Sequence, residues 1–206
     1  MALELSIEDG RFLVRLARKA IEEYLSRRKV IVVPKDTPAK LRRECGVFVT
    51  LTDATPENVL RGCIGHPLPT KPLVEAAIDS AIEAATGDPR FEPVPLNEFK
   101  STVKVEVSIL TPPEQIVVDN SLDYPKNIEI GVDGLILERD WYKGLLLPQV
   151  ATEWKMNEEE FLSNCCMKAG LSPDAWLVRG TKVSKFQALI FHETVPNGSI
   201  EQKMLK

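Results

Sequence analysis

The chain has little of what metal and redox sites are built from. Its 206 residues include only two histidines and four cysteines, and no two cysteines have the C-x-x-C spacing typical of zinc and redox sites. Cys165 and Cys166 are adjacent in a segment predicted to be helical, where consecutive side chains point in different directions. We therefore interpret this pair as packing residues, and we expect no metal site and no cofactor.

Several other functional patterns are also missing. The sequence has no phosphate-binding loop, no G-x-G-x-x-G motif and no serine nucleophile elbow. No apolar run approaches the roughly 20 residues that span a bilayer, and no basic region followed by an apolar stretch opens the chain. We therefore expect a cytoplasmic protein without membrane contact. A net charge of -4, from 26 basic and 30 acidic residues, predicts no nucleic-acid partner.

Regular patterns predict a mixture of helices and strands. Ser6 followed by Asp9 is typical of a helix start, and an apolar stripe from Pro72 to Gly87 predicts a second helix. Alternation over 103–109 predicts a half-buried strand. A helix capped by Asn157 and a short helix around Trp176 are also expected. The other predicted strands are Val30–Val33, Cys45–Leu51, Leu60–Gly65, Ile128–Val132, Leu135–Glu138, Leu145–Leu147 and Lys182–Phe191.

The order of these elements predicts an α+β protein of two subdomains, each a mostly antiparallel sheet covered by helices. Strands arrive in hairpins rather than in regular βαβ units, and Asp133-Gly134 resembles a tight hairpin turn. Pro112-Pro113 marks a boundary, after which strands, turn and helix form a self-contained series. We expect residues 119–178 to form a smaller inserted subdomain, and 1–118 with 179–206 to form the larger one.

The segment Leu60-Arg61-Gly62-Cys63-Ile64-Gly65 is the most informative stretch. In a regular strand Leu60 and Ile64 share one face, whereas Arg61 and Cys63 share the other. The glycines remove side chains where another backbone or a ligand comes close. An arginine beside a thiol favours the nucleophilic thiolate, which makes Cys63 a candidate catalytic residue. The alternative is that Cys63 is a small buried hydrophobe.

Two pairings for these residues stay open. Arg61 is predicted to pair with Glu106 of a neighbouring strand, either as a structural ion pair or to orient a substrate. His66 is a possible base for Cys63, although three residues along a strand separate opposite faces. We include Glu106 with residues 60–65 in the predicted binding site.

Two further pairs are notable elsewhere in the chain. Asp88 and Arg90 are expected to form a local ion pair around Pro89. Trp141-Tyr142 is an aromatic pair in a turn, and it is a possible contact spot for a partner.

The string LRGCIG resembles the signature of the AMMECR family. The match extends to further blocks in the same order over nearly the whole chain. They are Gly46–Leu51, Asp88–Phe91, Gly144–Val150 and Lys168–Leu171. The resemblance implies a larger subdomain that holds both termini, a smaller inserted one, and a cleft between them that the LRGCIG strand faces. It establishes no reaction, so whether the protein is an enzyme stays open.

Two functional hypotheses follow. The first is a protein that binds a protein or another sizeable partner in the cleft, through residues 60–65 and Glu106. The alternative is a thiol-dependent enzyme or carrier that uses Cys63 with Arg61. Relatives of the family often occur beside a Memo-type protein and a radical S-adenosylmethionine enzyme, which links the alternative to such a pathway.

Overall fold

The computed structural model describes residues 5–203, which form an α+β fold with antiparallel strand pairing, as the sequence predicts. Among these residues, no helix is long and apolar enough to cross a membrane. The helices are α1 (Ile7–Arg27), α2 (Leu73–Thr86), α3 (Leu96–Thr102), α4 (Pro148–Glu153) and α5 (Glu158–Lys168). The strands are β1 (Gly46–Asp53), β2 (Leu60–His66), β3 (Val103–Leu110), β4 (Glu114–Gln115), β5 (Asp133–Arg139), β6 (Tyr142–Leu146), β7 (Lys182–Glu193) and β8 (Ile200–Lys203).

The chain divides into two compact units. The first holds the chain up to Leu110 together with Leu189–Lys203, and the second holds Thr111–Ala188. Each unit has its own hydrophobic core.

In the first unit, α1 and α2 cover one face of an antiparallel sheet. The central strand β1 pairs with β2 on one side and β3 on the other, and β2 is the edge strand. Alternate residues of β1 and β3 are fully buried beneath the helices, which is the alternation expected of a half-buried sheet. Helix α2 presents small side chains to this core, at Ala76, Ala77, Ala81, Ala84 and Ala85.

A buried ion pair links three elements of the first unit. The Arg18 guanidinium of α1 forms two hydrogen bonds with the Glu193 carboxylate, and both residues are almost fully buried. Arg18 Nη2 also donates to the Val103 carbonyl oxygen at 2.7 Å, and Glu193 Oε2 accepts from the Val105 amide at 3.0 Å. Because every charged atom has partners, the pair is tolerated in the core.

The second unit is built on the β5–β6 hairpin, with β5 also pairing with the first half of β7. Helix α5 begins with the predicted capping box, in which Asn157 accepts from the Glu160 amide at 2.9 Å. Its buried face includes Cys165 and Cys166, which confirms that this pair is part of the core.

Several predicted elements are wrong. Residues 30–33 and 128–132 form no strand. The second segment is an irregular stretch and a turn that leads into β5, preceded by short helical turns within 121–127. Asp133-Gly134 opens β5 rather than turning between strands, because the hairpin turn lies at Asp140-Trp141, where Asp140 has φ 53°. Strand β8, which pairs with the end of β7, was not predicted.

Replacing Arg18 with methionine is expected to lower the free energy of unfolding by about 3–5 kcal/mol, because the Glu193 carboxylate then stays buried without its cation. Urea unfolding followed by circular dichroism measures this change.

The matched control is Arg27→Met, which removes an exposed pair with Glu23 and is expected to change stability by at most about 1 kcal/mol. An Arg18→Met variant as stable as this control contradicts a stabilising role for the pair.

Candidate functional site

The strand register places Cys63 in a row of polar side chains on the sheet face opposite the helices. Cys63 lies opposite Thr50 of β1, and Thr50 lies opposite Glu106 of β3. The neighbouring residues Val49 and Val107 are buried under the helices, so the Cys63 row faces the other way. We call this side, defined by Phe48, Thr50, Cys63 and Glu106, the outer face.

The two glycines of the segment allow close contacts. A Cβ added to Gly62 would lie 2.0 Å from the Ala84 carbonyl oxygen, so only glycine lets α2 approach the strand this closely. A Cβ added to Gly65 would lie 2.5 Å from atoms of the Phe48 ring, which covers that position on the outer face. The close backbone approach that the sequence predicts is therefore present at Gly62.

A β-bulge changes the predicted direction of Arg61. Leu51 lies opposite Gly62 and Thr52 lies opposite Leu60, so Arg61 is the extra residue. The extra residue also reverses the face of Leu60, which now shares the outer face with Cys63 instead of sharing the inner face with Ile64. The predicted face assignment, which assumed a regular strand, is wrong for Leu60.

Arg61 has a different ionic partner from the predicted one. Its Nε donates to Oε1 of Glu98 in α3 at 2.6 Å, whereas Glu106 lies 3.8 Å from the Lys203 ammonium. The prediction that Arg61 pairs with Glu106 is therefore corrected. The bulge is the physical reason, because Arg61 as the extra residue has no partner on β1 and its side chain reaches α3 instead.

Asp88 and Arg90 hold the backbone of Cys63 at the sheet edge. Asp88 Oδ2 accepts from the Cys63 amide at 2.8 Å, and Arg90 Nη2 donates to the Cys63 carbonyl oxygen at 3.3 Å. Arg90 also binds both carboxylate oxygens of Asp88, at 2.7 and 3.0 Å. We call these two residues the edge clamp, because they satisfy backbone groups that an edge strand otherwise leaves open.

The edge clamp confirms the predicted ion pair between Asp88 and Arg90 and adds its connection to Cys63. Asp88 is buried, and the Arg90 guanidinium holds the pKa of its carboxyl well below the ordinary value, with help from the Cys63 amide. The charged carboxylate is therefore the form that binds the strand at neutral pH.

The Cys63 thiol is half-buried and protonated. Burial raises its pKa above the ordinary value, and the nearby carboxylates of Glu106 and Asp88 act in the same direction. The Thr50 hydroxyl donates to Sγ at 3.3 Å and lowers the pKa, as does the charge of Arg90. Arg90, rather than Arg61, is thus the arginine whose charge acts on the thiol.

The other candidate partners of Cys63 lie elsewhere. His66 is opposite Val47, three residues along the same strand, so its side chain points to the other face of the sheet. Cys45 and Cys165 are buried, and burial raises their pKa to about 11 and about 12. Within residues 5–203 no cluster of three or more histidine, cysteine or acidic side chains is arranged to hold a metal ion.

Sequence reasoning missed Thr50 and Glu98 as members of this neighbourhood. The position of Thr50 opposite Cys63 follows only from the register of the β1–β2 hairpin, which the bulge shifts by one residue. Glu98 lies 37 positions from Arg61 in the chain, and no periodic pattern connects the two.

Fold and site together define an α+β protein with a half-buried cysteine clamped on the edge strand of an antiparallel sheet. The AMMECR1 family model matches residues 14–191. A protein of Methanothermobacter thermautotrophicus is 56% identical over 189 residues, which cover 92% of this chain and 96% of that protein. Protein PH0010 of Pyrococcus horikoshii is 54% identical over 207 residues, which cover 100% of both chains.

A solved structure extends this similarity to three dimensions. The crystal structure of PH0010, described as an uncharacterized protein, matches with a TM-score of 0.91 and 56% identity over 96% of this chain and 98% of that one. The chain belongs to the AMMECR1 family, which confirms the resemblance found in its motifs.

Replacing Asp88 with asparagine is expected to destabilise the protein by about 1–3 kcal/mol at neutral pH, because Arg90 and the Cys63 amide lose a charged acceptor. The depressed pKa sets the sign of the pH dependence. The carboxylate's contribution is complete above the unfolded-state pKa of about 3.9 and is lost as pH falls below it toward the lower folded-state value.

The difference in unfolding free energy between wild type and Asp88→Asn should therefore narrow below about pH 4. Urea titrations at several pH values measure it, with exposed Asp119→Asn as the control. A difference that is constant down to about pH 3 would show that the carboxylate charge is not what holds the strand.

Near neutral pH, iodoacetamide should label Cys63 more slowly than an unperturbed thiol, because the thiolate is the reacting form and burial raises the pKa of this thiol. The labelling rate should still increase with pH above about pH 9. Cys63 should nevertheless react before Cys45, Cys165 and Cys166, which are buried. Peptide mass spectrometry of the native protein follows each site.

Two variants distinguish the effects of Thr50 and Arg61 on the labelling rate of Cys63. Thr50→Val removes the donor to Sγ and should slow labelling further, whereas Arg61→Met should leave the rate within about twofold, since Arg61 is held by Glu98. A large slowing in Arg61→Met alone would restore the thiol-activating role predicted for that arginine.

Proposed function

We propose that this protein binds a protein or another sizeable partner through the LRGCIG strand and the outer face beside it. The observation that carries this proposal is the edge clamp, which fixes the Cys63 backbone through Asp88 and Arg90 while the thiol stays protonated. A recognition surface benefits from such fixed geometry, because less conformational freedom is lost when the partner binds.

The composition of the outer face supports recognition. The Phe48 ring supplies apolar area, Thr50 and Cys63 supply short polar groups, and all three are partly exposed. Glu106 adds a carboxylate whose side chain is 18% exposed beside Lys203. A mixture of an aromatic anchor with a few polar groups is typical of a specific contact surface.

The proposal includes the two subdomains and the cleft that the family resemblance implies. Residues 119–178 are proposed to form an inserted subdomain, and the LRGCIG strand is proposed to face a cleft between it and the larger subdomain. A partner in that cleft would contact residues 60–65 together with Glu106.

In-cell photo-crosslinking tests the binding proposal. Phe48 is replaced by p-benzoylphenylalanine, which keeps an aromatic ring at this position, and the control carries the same residue at Val32, which is 84% exposed and lies outside the site. We expect a discrete adduct at position 48 that is absent at position 32 and is identified by mass spectrometry. Glu106→Lys, which reverses the charge on the outer face, should weaken that adduct about tenfold or more.

Two results of the crosslinking experiment would contradict the binding proposal. If irradiation at position 48 gives no adduct beyond those of the position 32 control, the outer face is not a partner site. An adduct that Glu106→Lys leaves unchanged contradicts the proposed contact with Glu106.

The second candidate is a thiol-dependent enzyme or carrier, and the hydrogen bond from Thr50 to Cys63 Sγ favours it. A hydroxyl donor stabilises a thiolate, and Arg90 is a nearby cation. In this hypothesis sulfur adds to an electrophilic double bond of a bound ligand, and the thiol proton passes to the ligand, so that a carbon–sulfur and a carbon–hydrogen bond replace the double bond and no leaving group is needed. The proposed pathway beside Memo-type and radical S-adenosylmethionine proteins would supply that ligand.

Cys63→Ala distinguishes the two candidates. The binding proposal expects this variant to keep the position 48 adduct within about threefold, since one small side chain contributes little to a large contact. Loss of the adduct in Cys63→Ala, combined with a covalent mass increase on Cys63 of the wild type, would favour the thiol-dependent alternative.

A further inference from the structure

The second unit carries an exposed apolar groove lined by residues of α4, α5 and the end of β6. Its volume is about 330 Å³. The side chain of Trp154 is 74% exposed and that of Met167 is 49% exposed. The lining residues are Leu146, Val150, Trp154, Met156, Asn164, Met167 and Lys168.

Local structure explains why these side chains stay outside the core. Helix α4 buries Ala151 and ends at Glu153, with Trp154 as its C-cap. Lys155 then turns the chain with φ 52°. Helix α5 buries Phe161 and Cys165, which leaves Met167 and Lys168 on its solvent side. The groove therefore lies between two helices whose core contacts are already complete.

The β5–β6 hairpin of the same unit carries two further exposed aromatic residues. The edge of the Tyr142 ring lies 3.9 Å from where a Cβ on Gly170 would stand, just past the end of α5. Tyr142 is 50% exposed, and Trp141 at the tip of the hairpin is 97% exposed. Single exposed apolar residues are ordinary, but a tryptophan and two methionines lining one groove have the composition of a protein contact surface.

The charge around the groove restricts the occupant. Lys168 is the only charged residue among those that line it. Next to Trp154, Lys155 follows it and the exposed Glu153 precedes it, so the cation inside the groove is Lys168. Neither lysine forms an ion pair within residues 5–203. The three glutamates of α5 lie at its opposite end, at positions 158–160. An anionic group beside an apolar anchor is complementary to this arrangement.

We propose that this groove docks a short segment of a partner protein in which an apolar side chain stands next to a carboxylate. The apolar side chain packs against Trp154 and Met167, and the carboxylate pairs with Lys168. The volume is at the lower end of the range for ligand pockets, which fits one or two side chains. This groove shares no lining residue with the outer face around Cys63.

Selection from a library of random linear peptides tests the proposal, with the full chain as the target. We expect the selected peptides to combine aliphatic or aromatic residues with aspartate or glutamate. Trp154→Ala should weaken a selected peptide at least about tenfold, as expected of an aromatic anchor. Lys168→Glu should weaken acidic peptides and favour basic ones in a parallel selection, whereas Val117→Ala, at a site 84% exposed outside the groove, should change neither.

Three results would overturn the proposal. They are selection of no peptides, selection of peptides whose affinity is the same in Trp154→Ala and Lys168→Glu, and a self-association seen by sedimentation velocity that Trp154→Ala abolishes. The last result would assign the groove to a second copy of this chain. Circular dichroism checks that both variants fold, which the exposure of the two side chains predicts.

Discussion

A buried carboxylate that accepts a hydrogen bond from an edge strand is the interaction on which the candidate site depends. The outward amide and carbonyl of Cys63 would otherwise be open to water or to another strand. Asp88 and Arg90 occupy both groups, so the strand is closed by side chains where a further strand would normally pair. These two backbone contacts fix the position of the Cys63 side chain on the outer face, beside the Thr50 hydroxyl.

The opposite side of the same strand is fixed by steric fit. Gly62 allows the Ala84 carbonyl of α2 to approach to a distance that no Cβ would permit, and the alanines of α2 keep the helix close to the sheet. Farther along the sheet, the Arg18–Glu193 pair connects α1 with β3 and β7. Backbone contacts thus fix both sides of the strand that carries Cys63, and burial raises the pKa of its thiol. This combination supports the proposed recognition role more than the proposed thiol chemistry.

Much of the fold follows from patterns that depend on near neighbours. The capping boxes at Ser6 and Asn157 and the alternation in β3 predict their elements because the relevant contacts span only a few residues. The prediction fails where register or distant packing decides. The bulge at Arg61 turns Leu60 to the outer face and leaves Arg61 to pair with Glu98, and neither outcome is encoded in the spacing of residues 60–65. Likewise Val30–Val33 has strand propensity, but it pairs with no strand among residues 5–203.

Native-state hydrogen exchange at the Cys63 amide tests the central claim most directly. If Asp88 holds this strand, the outward-facing amide of Cys63 should be protected to a degree comparable with the Val49 amide inside the sheet, because its exchange then requires opening of the edge clamp. Asp88→Asn should reduce this protection while leaving that of Val49 largely unchanged. A Cys63 amide that exchanges in the wild type as fast as the amide of Ala54 in the exposed β1–β2 turn would contradict the account.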